Sequence, residues 1–250
     1  MRHFFAALAT STLVSAHGWV DNATIGGQFY QASPKNTKPY TPFRQFYQPY
    51  QDPYMGDGTP QRISRKTTSN GPVQDVTSID LQCGGISSEG VAGSTVTLRW
   101  TMWPDSHIGP ILTYMARCPD DGCDKWLPGE EPVFFKIHHD GRHTTDKTYP
   151  DDTSGPSKNH KQTPLMTPYN AGYHYTIPAC LAPGYYYLLC HEIIALHSAW
   201  AEGEAHELLV SFPGAYKADD PGIFVDIWNP GNYTIPGPAI WKCPEAQQNE

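Results

Sequence analysis

At 250 residues, with a formal net charge of −8 and only 17 lysines and arginines scattered along the chain, the sequence offers no basic surface for nucleic acid. Its 24 prolines and 22 glycines, with few helical periodicities, exclude a helical bundle and point to one loop-rich, all-β domain. The first residues set the compartment. Arg2 and His3 precede an apolar run, Phe4–Val14, that closes on Val14-Ser15-Ala16, the pattern of a secretory signal peptide. Removal of residues 1–16 makes His17 the first residue of a single domain, 17–250, in which no linker or repeat marks a second unit. No later apolar stretch is long enough to span a bilayer, so a secreted, extracellular protein with no membrane partner is expected. Six cysteines and two sequons, at Asn22 and Asn232, fit an oxidising, glycosylating export route.

Along the chain, the Gln28–Pro72 region comes first. It holds aromatics, prolines and polar residues without a period, and it reads as a long surface loop carrying Tyr40, Tyr47, Tyr50 and Tyr54. Ser94–Trp100 then alternates apolar and polar residues, as does Pro132–Ile137; both are predicted strands. Tyr173–Ile177 is a further strand, Tyr185–Leu196 is the longest apolar segment, and Leu208–Phe212 is a short strand. Turns rich in Gly, Pro, Asp and Ser separate them. Many short strands without helical crossovers predict two packed antiparallel sheets, an immunoglobulin- or fibronectin III-like sandwich with long loops.

Three histidines carry candidate chemistry. A free N-terminal His17 would offer its α-amine and a ring nitrogen to one metal, and the amine releases its proton near neutrality. One further imidazole would complete three nitrogen donors, a set suited to copper(II). His191 and His197 are six residues apart. That spacing puts them on one face of a strand and differs from the one-turn separation of a zinc-protease helix. Glu192 falls on the opposite face and is read as structural.

Five blocks make a resemblance specific: HGWV from His17, WPDSHIGPILTYMARC from Trp103, LLCHEIIALHSA from Leu188, DPGIFVDIW from Asp220 and YTIPGPAIW from Tyr233. In this order, and with Gly71–Ser78 leading to Cys83, they resemble the lytic polysaccharide monooxygenases of auxiliary activity family 9 across nearly the whole chain. The resemblance implies one copper per chain, held by His17 and His107. It places His197 beside the copper, where it hydrogen-bonds the oxygen substrate. The implied reaction is oxidation of cellulose or a related β-glucan at C1 or C4. It draws on a small-molecule or protein electron donor and on molecular oxygen or hydrogen peroxide. A monomer is expected, and because no linker, repeat or low-complexity tract marks a second domain, no appended carbohydrate-binding module is expected. Trp228 matches a position where relatives place a ring that stacks on cellulose, and Tyr40, Tyr47, Tyr50 and Tyr54 are candidates for the same plane. Cys118 and Cys123 match a small disulfide loop.

One element departs from the pattern. After the strand holding His197, the family carries Gln-x-Tyr-Pro-x-Cys, whose tyrosine is the axial copper neighbour and whose glutamine binds oxygen. Here Ser198–Leu208 contains no Gln, Tyr or Cys, and Tyr216 lies beyond the following strand. Cys83 thereby lacks its usual partner, and Cys83, Cys180, Cys190 and Cys243 admit three pairings. A non-catalytic or weakly active copper- or glucan-binding relative is the alternative reading. An endoglucanase would need two carboxylates flanking the bond at a set separation, and Glu202, Glu204 and Glu207 form no such signature.

Overall fold

The structure, a computed structural model, describes residues 20–31, 86–87, 93–100, 109–123, 126–129, 131–141, 173–185, 187–196, 216–217, 219–228 and 232–244. Among these are eight strands: β1 (Val20–Ile25), β2 (Gln28–Gln31), β3 (Ile86–Ser87), β4 (Thr95–Trp100), β5 (Ile111–Arg117), β6 (Phe135–Asp140), β7 (Tyr173–Thr176) and β8 (Tyr187–Ile193). They form two four-stranded sheets, β2-β1-β4-β7 and β3-β8-β5-β6, in which every pairing is antiparallel.

Alternation builds the space between the sheets. Ala23 and Ile25 of β1, Val96 and Leu98 of β4, and Tyr173 and Tyr175 of β7 point inward from the first sheet. Ile111 and Met115 of β5, Ile137 of β6, and Leu189 and Ile193 of β8 meet them from the second. The second sheet is also covered on its outer face. There Leu112, Tyr114, Cys190, Ile194 and Leu196 pack with Tyr216, Ile223 and Ile227 of the C-terminal arm. The arm then reaches the edge strand, where the Trp241 amide donates to the Lys136 carbonyl at 2.7 Å. Its ring lies 5.1 Å from that of Phe135.

This double cover explains what sequence periodicity did and did not reveal. β5 has six consecutive buried residues, because a central strand clothed on both faces loses its alternation; the sequence reading assigned no strand to it. Strands β1 and β2 were not anticipated either. β2 occupies the first residues of the Gln28–Pro72 region read as a loop, paired with β1 through a turn at Gly26-Gly27. The long apolar segment predicted over Tyr185–Leu196 is a strand only to Ile193. Beyond Ile193 the Ile194 amide makes one further bond to β5's side, and residues 194–196 are all buried. The alternation of faces persists to Leu196, with Ile193 and Ala195 between the sheets and Ile194 and Leu196 on the outer face; His197 lies outside the described residues. The predicted strand at Leu208–Phe212 lies outside the described residues.

A bulge in the β5–β6 pairing has a chemical consequence. The register passes from Thr113↔His138 to Tyr114↔Lys136, so β6 carries one extra residue there. Ile137 and His138 both face the space between the sheets, while Lys136 and His139 share the outer face, Lys136 Nζ lying 3.5 Å from His139 Nδ1.

The space between the sheets also holds imidazoles. His191 is bonded through Nδ1 to the Thr113 hydroxyl at 2.9 Å and is stacked on Tyr175 with ring centroids 5.8 Å apart. His138 Nε2 meets the Tyr173 hydroxyl at 2.9 Å. Burial, reinforced by His138, holds His191 down at about 3. Burial also lowers His138, against Asp140, and it lowers His139 to about 4 with help from Lys136 and His138. His191 and His139 stay neutral in the folded protein at moderate acidity, and His138 is shifted in the same direction, while their unfolded counterparts take up protons below the ordinary value of 6.5. Stability is thus undiminished above pH 6.5 and lost as pH falls toward 4. The slope is at most about 1.4 kcal/mol per pH unit for each histidine, smaller for the half-exposed His139. Denaturant midpoints measured between pH 7 and pH 4 should show this fall, and His191→Phe should flatten it; a midpoint constant over that range contradicts the assignment.

Two disulfides are formed between described residues. Cys118 and Cys123 close a small loop, and Cys180 joins Cys243 across 63 residues of sequence. Cys190 is disulfide-bonded as well, through a partner outside the described residues. The Cys180–Cys243 bond selects one of the three pairings left open by the sequence.

Candidate active site

Sheet pairing brings two chain segments to one end of the second sheet. Ile111, at the start of β5, pairs with Ile193, at the end of β8. The ladder continues one step further, with the Ile194 amide donating to the Pro110 carbonyl at 3.0 Å. Gly109 makes that step possible, because a Cβ placed there would fall almost on the Ile194 carbonyl oxygen and against the Leu196 side chain. In sequence, His107 precedes Gly109 by two residues and His197 follows Leu196 directly.

His17, His107 and His197 themselves lie outside the described residues, as do Tyr40, Tyr47, Tyr50 and Tyr54. Among the described residues, no group of three or more His, Cys, Asp or Glu side chains is gathered to hold a metal ion. Glu202, Glu204 and Glu207 also fall outside them.

Trp228 is described and is 58 % exposed. It ends the segment 219–228, whose inward anchors, Ile223 and Ile227, join Ile194 and Leu196 in one buried cluster. The ring-bearing segment is therefore packed on the same outer face as the exit from β8. Internal bonds fix its backbone: the Asp220 carbonyl accepts from Ile223 and Phe224, each at 2.8 Å, and Asp220 Oδ1 accepts from Gly222 at 2.8 Å. Asp226 Oδ1 caps the Trp228 amide at 2.9 Å.

Beneath this arm runs a buried polar chain that sequence reasoning missed. The Tyr216 hydroxyl donates to Glu192 Oε1 at 2.7 Å, which leaves the Tyr114 hydroxyl to donate to the Tyr216 oxygen. Lys136, 1 % exposed, donates from Nζ to the Pro236 carbonyl at 2.7 Å. Burial lowers its ammonium to about 8, against the opposing pull of Glu192 and Asp220. Burial first, then Glu192, pushes the Tyr114 and Tyr216 hydroxyls well above the usual phenol range. The lone lysine inside the apolar run Val133–Ile137 was the one sequence signal for this chain of contacts. Glu192 does lie on the opposite face of β8 from His191, and it binds Tyr216, which is committed to the interior. Of the two sequon asparagines, Asn22 is half-buried within β1 and Asn232 is exposed in the C-terminal arm.

Comparison with known proteins places this geometry. Residues 17–207 match the profile of Auxiliary Activity family 9 (formerly GH61). The chain is 54 % identical to AA9 family lytic polysaccharide monooxygenase C of Podospora anserina, covering 98 % of this chain and 99 % of that one. It is 44 % identical to monooxygenase F of the same fungus, over 97 % and 100 %. The first comparison runs over 292 aligned positions, at least 292 − 250 = 42 of which have no counterpart in this chain. A solved structure, a cellulose-active polysaccharide monooxygenase from M. thermophila, superposes with a TM-score of 0.61 at 27 % identity, over 90 % of this chain and 99 % of that one. Enzymes of this family are copper-dependent and cleave polysaccharides oxidatively, using an electron donor and oxygen or peroxide, and the fungal members are secreted. The chain belongs to Auxiliary Activity family 9, the lytic polysaccharide monooxygenases.

Proposed function

We propose that the mature chain, residues 17–250, is a single-domain secreted enzyme that oxidises β-1,4-glucan chains of cellulose at C1 or C4. In this reading His17 holds one copper through its amine and ring nitrogens, and His107 supplies the third nitrogen. This all-nitrogen donor set suits copper(II), and the family match begins at residue 17. Bound copper would supply one-electron chemistry toward oxygen or peroxide. The protein's own residues present the polymer and orient the reactants. His197 hydrogen-bonds the oxygen substrate, and Trp228, with Tyr40, Tyr47, Tyr50 and Tyr54, receives the sugar faces. Glycosylation belongs at the exposed Asn232, and at Asn22 only with a glycan that β1 can accommodate.

The close approach of Gly109 to Ile194 carries this reading, because it abuts the two chain segments that continue to His107 and His197. The test is copper titration of protein beginning at His17 beside protein with one extra residue in front, followed by product analysis on cellulose with and without reductant. One tightly held copper, lost on extension, and oxidised oligosaccharides formed only with reductant are expected. Tight copper binding that survives the extension would remove His17 from the ligand set.

The short Ser198–Leu208 segment favours a second reading, in which the chain binds copper and glucan with little turnover. Without the axial tyrosine and the oxygen-binding glutamine, metal affinity resides in the equatorial nitrogens, while redox tuning depends on the missing neighbours. Copper bound as in relatives, with no oxidised ends, is the result that selects it.

A further inference from the structure

We propose that Phe224 is a second glucan-contacting ring, forming with Trp228 a two-ring platform on the segment 219–228. The inference rests on the cellulose reading above and adds a residue to it.

A single exposed apolar side chain needs no explanation. Here two aromatic rings stand in solvent on one short segment, Phe224 at 45 % and Trp228 at 58 % exposure. Each directly follows an isoleucine that is almost wholly buried: Ile223 before Phe224, Ile227 before Trp228. The repeat inserts two anchors into the cluster under the arm and sends the next side chain out each time. Four residues of chain extend at most about 14 Å, so both rings fall within reach of a few consecutive sugars.

The backbone that carries them is pinned. The Asp220 carbonyl holds the Phe224 amide, and Asp226 holds the Trp228 amide. The Tyr233 hydroxyl donates to the Gly222 carbonyl at 2.7 Å. Gly222 itself approaches Thr234 and Pro236 so closely that a Cβ there would collide with the Thr234 carbonyl and the proline ring. A ring on a fixed backbone loses little further freedom when it meets a flat polymer, and that lowers the entropic cost of binding. Phenylalanine has no polar tip, so its exposed ring matches the C–H face of a pyranose and offers nothing to the hydroxyl edge. The occupant of this surface is therefore the hydrophobic face of a neutral β-glucan, continuous with the chain that meets Trp228.

The test measures adsorption of the full, copper-loaded protein to microcrystalline cellulose without reductant, so that no cleavage intervenes. Phe224→Ala should lower the partition coefficient about five-fold with an unchanged Tm. Phe224→Tyr should retain adsorption, whereas Phe224→Leu, apolar but not flat, should lose most of it. Trp228→Ala is the control for the cellulose reading. If Trp228→Ala weakens adsorption and Phe224→Ala does not, the platform is overturned and the cellulose reading stands. If neither does, both are wrong. If Phe224→Ala instead lowers the molecular mass in solution by light scattering, the ring serves contact between copies and the platform is overturned.

Discussion

Gly109→Ala is expected to lower the unfolding free energy by about 3 kcal/mol or more, and to weaken copper binding even in the fraction that remains folded. A methyl group at this position would meet the Ile194 carbonyl, which is backbone and cannot rotate away. The adjoining ladder opposes a shift of the strands, through the Ile194 N to Pro110 O bond and the Ile111↔Ile193 pair. Overpacking of a closed contact costs about 1–3 kcal/mol where side chains can yield, and more where they cannot. The displacement falls two residues from His107, so the damage should extend beyond stability. Denaturant unfolding and copper titration of the same sample check both halves. A variant with wild-type Tm and wild-type copper affinity would show that the two segments are held apart by something other than this contact.

The second large effect concerns the chain of contacts under the C-terminal arm. Tyr216→Phe keeps the ring, opens no cavity, and removes one oxygen. That oxygen donates to the Glu192 carboxylate and accepts from Tyr114, so its loss strips a donor from a carboxylate and an acceptor from a buried phenol. Hydrogen bonds to charged groups are worth about 1.5–3 kcal/mol, and a group left unsatisfied adds to the loss. A cost of about 2–3 kcal/mol is expected, with an unchanged denaturant m-value. Tyr114→Phe should cost about 1 kcal/mol, because the Tyr216–Glu192 bond survives it. The order of the two variants is the decisive measurement; a larger loss for Tyr114→Phe would mean that the carboxylate takes its main donor elsewhere.

How far the sequence could be read differed by place, for physical reasons. β4 and β7 alternate cleanly in sequence because the first sheet buries one face, and both were legible. β5 was not: Leu112 and Tyr114 are buried under the arm while Ile111 and Met115 are buried between the sheets, so no polar face remained to mark the strand. The bulge in β6 was equally hidden, since an extra residue in a ladder leaves no trace in hydropathy. It is nonetheless what aligns Lys136 with His139 on the outer face. At the candidate site, the ring at Trp228 could be picked out from its motif. Phe224 gives no such signal, because its neighbours Ile223 and Val225 make it look like one more core residue. His107 and His197 were legible as motif residues. The contact that abuts their flanking segments was not, since a glycine in HIGP carries no sign of the carbonyl it must clear.

The bond between Cys180 and Cys243 leaves the ring-bearing segment enclosed in a covalent loop that starts at the turn after β7 and ends beyond Trp241. In a chain-entropy view, a loop of this length restrains the unfolded state by about 4 kcal/mol. Its other consequence appears after damage. A protease in the medium that nicks the chain between these two cysteines cuts a peptide bond without releasing a fragment. The portion carrying Phe224 and Trp228 stays tethered to the sandwich, where its buried isoleucines can re-seat it. A chain without this bond would fall into two pieces at the same cut.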